Sequence, residues 1–244
     1  METACYGHPN GPFVSVQAFH ERASSNYKEK GIFPYCPQCS EIVELYGVHN
    51  WGISRFDHKN RAEDLDPLDD CPSANRGDSR FAGMAPDAWD YERGRQLRQA
   101  FFEDDNLKSA YAFCRSLART GNMPLSKFRS MIRKADRRKI WSYADIPLWL
   151  IPYILLTLEN FTQAAAEKTK GYEFHFVFVK PRGTTASALW NQQIATALKK
   201  VFPNGSEVQT ADNPYPLSKE DKQRKAQDTG WITVDFLRQL KKLA

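Results

Sequence analysis

Hydrophobic and polar positions along the chain follow two periods, and the changes of period divide it. Leu107, Ala110, Tyr111, Cys114, Leu117 and Ala118 recur three and four residues apart, the spacing of one apolar helical stripe. Cys114 lies inside that stripe and reads as a core thiol. Gly121, Asn122 and Pro124 stop this helix. A second is expected over 127–141, with Ser126 as N-cap and Phe128, Met131, Ile132 and Ala135 facing the core. The stretch 146–158 is almost wholly apolar but carries Pro147 and Pro152 between Asp145 and Glu159. A membrane span needs about 20 apolar residues, so this reads as a buried helix or a broken pair of short ones.

Strand-like alternation appears at both ends. Residues 13–18 form one short run, and 42–45 and 53–56 form two more around Gly47, His49, Asn50 and Gly52, a hairpin pattern. A polar helix or loop is expected around 21–30, and 61–70, acidic around Pro67, has loop composition. Residues 172–180 are aromatic and β-branched at strand length. Beyond Pro181 and Gly183, 186–202 is expected as a helix with Trp190, Ile194, Ala197, Leu198 and Val201 on one face. A strand at 207–210 would complete a β-α-β element, and Thr233 caps a last amphipathic helix. The fold class is therefore α+β. A small N-terminal hairpin module (1–80) is followed by a helical region (81–168) and a small α/β C-terminal region (169–244), with soft boundaries near 75–88 and 165–171.

The chain has 244 residues, 41% of them hydrophobic, and a net charge of +5. That composition excludes wholesale disorder and permits contact with nucleic acid without requiring it. The first residues lack the basic and apolar regions of a secretory signal. With five cysteines, this suggests reduced thiols and a cytoplasmic setting.

Three of those cysteines lie close together. Cys36-Pro37-Gln38-Cys39 has the spacing of a zinc knuckle, in which a tight turn aims two thiolates at one point. His58, on the expected returning strand, and Cys71 complete a Cys3His set. Four protein ligands make a closed, structural Zn2+ site with no position left for chemistry. Such a site would add on the order of 10 kcal/mol to folding, in a segment (31–75) with few large apolar side chains. His49 competes with His58 for the fourth position, and Cys5 or His8 are further alternatives; a Cys36–Cys39 disulfide or simple packing is the bland reading.

The run Phe33-Pro34-Tyr35-Cys36-Pro37-Gln38-Cys39, then Ile42-Val43, Phe56-Asp57-His58 and Cys71-Pro72, resembles the N-terminal zinc-finger-like module of competence protein CoiA-like proteins. The likeness covers residues 12–100. In that family a nuclease-type domain with Mg2+-binding Asp and Glu-x-Lys residues on adjacent strands follows. Here a helical stretch follows instead. Glu173 lacks a Lys two residues on, and Glu220-Asp221-Lys222 matches only as a bare tripeptide in a charged stretch. The family's catalytic residues are not carried over.

Between 115 and 139 basic residues crowd together. On the 127–141 helix, Arg129, Arg133, Lys134, Arg137 and Arg138 fan opposite the apolar face. Like charges at i,i+4 repel by a few tenths of a kcal/mol, and a polyanion along that face would offset the repulsion by counterion release. A solvated helix balanced by the acidic stretches explains the pattern equally well. Trp141 and Tyr143 could stack on bases but more often are core; His175 reads as a half-buried strand histidine, and Asp87, Asp90 and Glu92 as helix-start carboxylates. No nucleophile elbow, phosphate loop, dinucleotide fingerprint or zinc-protease motif occurs. The leading expectation is a zinc-stabilised, non-enzymatic nucleic-acid-binding or adaptor protein that touches phosphate backbone and no membrane. The alternatives are a subunit of a bacterial multi-protein system with an acidic partner, and a divergent CoiA-like nuclease.

Overall fold

The computed structural model describes residues 1–49, 54–58, 71, 84–119, 123–163, 171–181, 184–190 and 195–242. The chain forms two compact units, Met1–Ala85 and Pro86–Ala244. Both helices and small sheets are present, an α+β fold.

The N-terminal unit holds two sheets. In the first, β1 (Thr3–Tyr6) lies between β2 (Phe13–Ser15) and β3 (Pro34–Tyr35), antiparallel to both. The strand expected at 13–18 ends after three residues, because Ser15 turns to cap α1 (Val16–Ala23) by accepting from the Ala18 N–H. The polar helix or loop expected around 21–30 is the end of α1 followed by turns. The second sheet is the hairpin of β4 (Val43–Tyr46) and β5 (Arg55–His58), in the register Val43 to His58 and Leu45 to Phe56. Phe19 of α1 joins the parts. Its ring meets those of Tyr6, Tyr27 and Phe56, in a core that also includes Val14, Val16, Cys36, Val43 and Cys71. The acidic loop expected at 61–70 and the start of the strand expected at 53–56 lie outside the described residues.

In the C-terminal unit, α2 (Tyr91–Phe101), α3 (Asp104–Ala118), α4 (Leu125–Arg137) and α5 (Ile151–Thr157) precede a four-stranded antiparallel sheet. Its order is β6 (Asn160–Gln163), β7 (Tyr172–Val179), β8 (Ala197–Val201), β9 (Tyr215–Pro216). Two further helices, α6 (Lys219–Lys225) and α7 (Val234–Lys241), close the chain. The whole α3 stripe is buried, Cys114 included, and so is every residue of α5. Burial pushes the Cys114 thiol up, out of the reactive range. Ser126 is not the cap of α4: the helix begins at Leu125 after Pro124, whose missing N–H is no loss at a first turn.

The C-terminal β-α-β element needs correction. Residues 186–189 form a single 3-10 turn, and 197–201, expected as helix, is strand β8, hydrogen-bonded to β7 and β9. Lys200 hid the strand period. It faces inward opposite Phe176, and Leu198 opposite Phe178, so a charged residue occupies a core position and breaks the apolar alternation. The strand expected at 207–210 is a single bridge between Val201 and Glu207.

Candidate metal centre

The site is built from local turn chemistry. After β3 the chain folds over Cys36: its N–H donates to the Glu41 carbonyl at 2.8 Å, and its own carbonyl accepts from Ser40 N–H at 2.9 Å. Ser40 takes a left-handed φ of 65° to close this turn. The Gln38 N–H lies 3.4 Å from Cys36 Sγ, the kind of backbone donor that supports a thiolate. Cys39 leaves the same turn just before β4, and His58 sits at the end of β5 opposite Val43. Cys71, later in the sequence, completes the group.

The ligand atoms of Cys36, Cys39, His58 and Cys71 all lie within 4.8 Å of one another, a group that could hold a metal ion. Cys36 Sγ and Cys71 Sγ are 3.6 Å apart, and Cys39 Sγ and His58 Nε2 are 3.2 Å apart. Around a tetrahedral ion with Zn–S of about 2.3 Å and Zn–N of about 2.0–2.1 Å, such separations are about 3.8 and 3.5 Å. The sulfur–sulfur separation is far beyond an S–S bond of about 2.05 Å, and all five cysteines, Cys36 and Cys39 included, are free. The disulfide reading falls.

Electrostatics agree with the geometry. Hydrogen bonds from Cys39 and Cys71 hold the Cys36 thiol down to about 4, while the same crowding pushes Cys71 well above its ordinary value. Three thiols packed together cannot all ionise without a cation among them. Cys36 and Cys71 are buried, while Cys39 and His58 form the half-exposed side of the group. His58 turns Nε2 toward the sulfurs, and among the described residues its buried Nδ1 has no hydrogen-bond partner.

The competing ligands are placed elsewhere. The His49 ring packs edge-on to His20 at 5.9 Å. His8 accepts from the Asn10 N–H through Nδ1, and Cys5 is buried in β1 beside β2 and β3.

Comparison with known proteins finds no match. No family model fits the chain, and neither a curated protein nor a solved structure resembles it closely enough to count.

The structure divides the α4 cations. Arg133 and Arg137 are exposed, but Arg138 is only 3% exposed. Lys134 pairs with Glu159 at 3.2 Å in a mostly buried bridge, and Arg129 donates to the Gln239 carbonyl at 2.6 Å. Trp141 and Tyr143 are core: the Trp141 Nε1–H donates to Asp136, which also takes two bonds from Arg98 at 2.7 and 3.0 Å. His175 is buried in β7. Asp90 caps α2 by accepting from the Arg93 N–H. Glu173 stands on β7, but Glu220 bonds Ser218 in the first turn of α6, so the tripeptide beginning at Glu220 is helical. Among the described residues no helix is long and apolar enough to cross a membrane.

Proposed function

We propose that this is a zinc-stabilised, non-enzymatic binding protein whose N-terminal unit is organised by one Zn2+ on Cys36, Cys39, His58 and Cys71. The observation that carries the proposal is the convergence of three thiols and one imidazole within 4.8 Å. Three soft sulfurs and a nitrogen suit zinc better than a hard cation such as Mg2+ or Ca2+. A filled set of four protein ligands leaves no open position, so the ion's role is to hold the knuckle, the hairpin and the segment at Cys71 together. Five free thiols support a reducing compartment.

The partner in this proposal is anionic, with the nucleic-acid backbone preferred. Support comes from the net charge of +5 and from Arg133 and Arg137, which are exposed one turn apart on α4. The contact positions the protein and reads no sequence. The test is a binding titration over salt: Arg133→Ala with Arg137→Ala should reduce the log–log slope by about 2. A salt-independent interaction, or a slope untouched by that pair, rules out this face.

A further inference from the structure

In the C-terminal unit a cleft of about 720 Å3 is lined by Arg115, Ser116 and Arg119 on the α3 side, and by Lys225, Asp228 and Trp231 on the other. Its volume falls in the range of small-molecule sites. Its lining carries three cations and one carboxylate.

The two arginines are held in place without being neutralised. The Arg115 guanidinium stacks on Trp231, with Cζ 4.2 Å from the ring centre. Trp231 is in turn fixed by donating Nε1–H to the Asp228 carbonyl at 2.9 Å and by packing on Tyr111 and Phe236. Stacking orients the planar fork and leaves its N–H edges available. Among the described residues, neither Arg115 nor Arg119 has a carboxylate or hydrogen-bond partner. Lys225 reaches Asp221 only at 3.8 Å, and that carboxylate is shared with Arg224 at 2.5 Å.

Two further observations set this cleft apart from an ordinary solvated helix end. Arg119 holds a φ of 67°, a region that favours glycine, yet an arginine stands there. Lys200, whose charge repels that of Arg119, is wholly buried, and among the described residues its Nζ has no hydrogen-bond partner. A second, buried cation thus adds to the positive field at Arg119.

We propose that this cleft binds the phosphate group of a small organic phosphate. Arg115 and Arg119 would grip the phosphate oxygens, Lys225 would add charge, and the exposed edge of Trp231 would flank the organic part. A dianion matches the surplus of two positive charges on the lining, and two guanidinium forks suit phosphate oxygens better than a single carboxylate. The site shares no residue with the metal centre or with α4, so it stands or falls independently of both.

The test uses the intact, metal-loaded protein at low salt, followed by Trp fluorescence and calorimetry. The probes are AMP, glycerol 3-phosphate and, as a carboxylate control, acetate. The expected result is saturable one-to-one binding of at least one phosphate ester and none of acetate; whether AMP is favoured distinguishes a nucleotide from other phosphate esters. Arg119→Gly, which suits the observed φ and so preserves the fold, should weaken binding tenfold or more, and Arg115→Gln should do the same. The Arg133→Ala/Arg137→Ala pair should leave it unchanged. The proposal is overturned if neither ester saturates, if acetate binds as well, or if Arg119→Gly binds like the parent.

Discussion

At the scale of single residues, two side chains depend most strongly on their surroundings. Cys71 is buried, its sulfur 3.6 Å from that of Cys36, and both belong to the group that could hold a metal ion. Cys71→Ser removes a soft ligand and leaves a buried hydroxyl among thiolates. It should abolish stoichiometric metal and unfold the N-terminal unit, as checked by metal analysis and amide exchange. Lys200 presents the opposite problem. Burial, helped by Arg119, pushes its ammonium down to about 8, and its ring contact with Phe174 at 3.9 Å offsets only part of the desolvation. The folded value lies below the unfolded one, so the unfolded chain takes up its proton first as pH falls. Stability is lost as pH drops from about 10.4 to about 8 and stays low below that. Lys200→Met should therefore stabilise the C-terminal unit at pH 7 by up to about 3 kcal/mol, with the gain shrinking toward pH 10 in denaturant melts.

At the scale of elements, α2 meets the turn at 140–142 so closely that glycine is required at one contact. A Cβ on Gly94 would lie 2.5 Å from Ser142 Oγ and 2.8 Å from Ser142 Cα, a backbone atom that cannot swing away. Gly94→Ala should cost about 1–3 kcal/mol through overpacking despite alanine's better helix propensity, as a urea midpoint would show. The helices were legible in the sequence because their apolar stripes are long: α3 and the buried face of α4 lie where Leu107–Ala118 spacing and Phe128, Met131, Ile132 and Ala135 place them. The hairpin and the position of His58 on its returning strand were legible too, since a knuckle, a turn and a returning strand leave local marks. Short strands such as β1 and β9 left none, because four and two residues are too few to show a period. The inward Lys200 disguised β8 as helix. The fate of the α4 cations was equally unreadable, because Glu159 and the Gln239 carbonyl reach them from other elements.

At the scale of the whole molecule, two compact units rest on different sources of stability. The C-terminal unit buries a large apolar core around α3, α5 and the sheet. The N-terminal unit has a smaller core, into which two of the four ligands, Cys36 and Cys71, are themselves packed. Under the proposed zinc assignment, the ion would supply on the order of 10 kcal/mol to this unit. A strong chelator should therefore remove amide protection from β3, β4 and β5 while leaving α3 and α5 protected, and equal loss in both units would be unexpected. The most direct measurement is metal content and X-ray absorption on protein purified without added metal. The account predicts one zinc per chain, with three sulfurs at about 2.3 Å and one nitrogen at about 2.0–2.1 Å. Absence of stoichiometric metal, or a first shell of oxygen in place of sulfur, would contradict it.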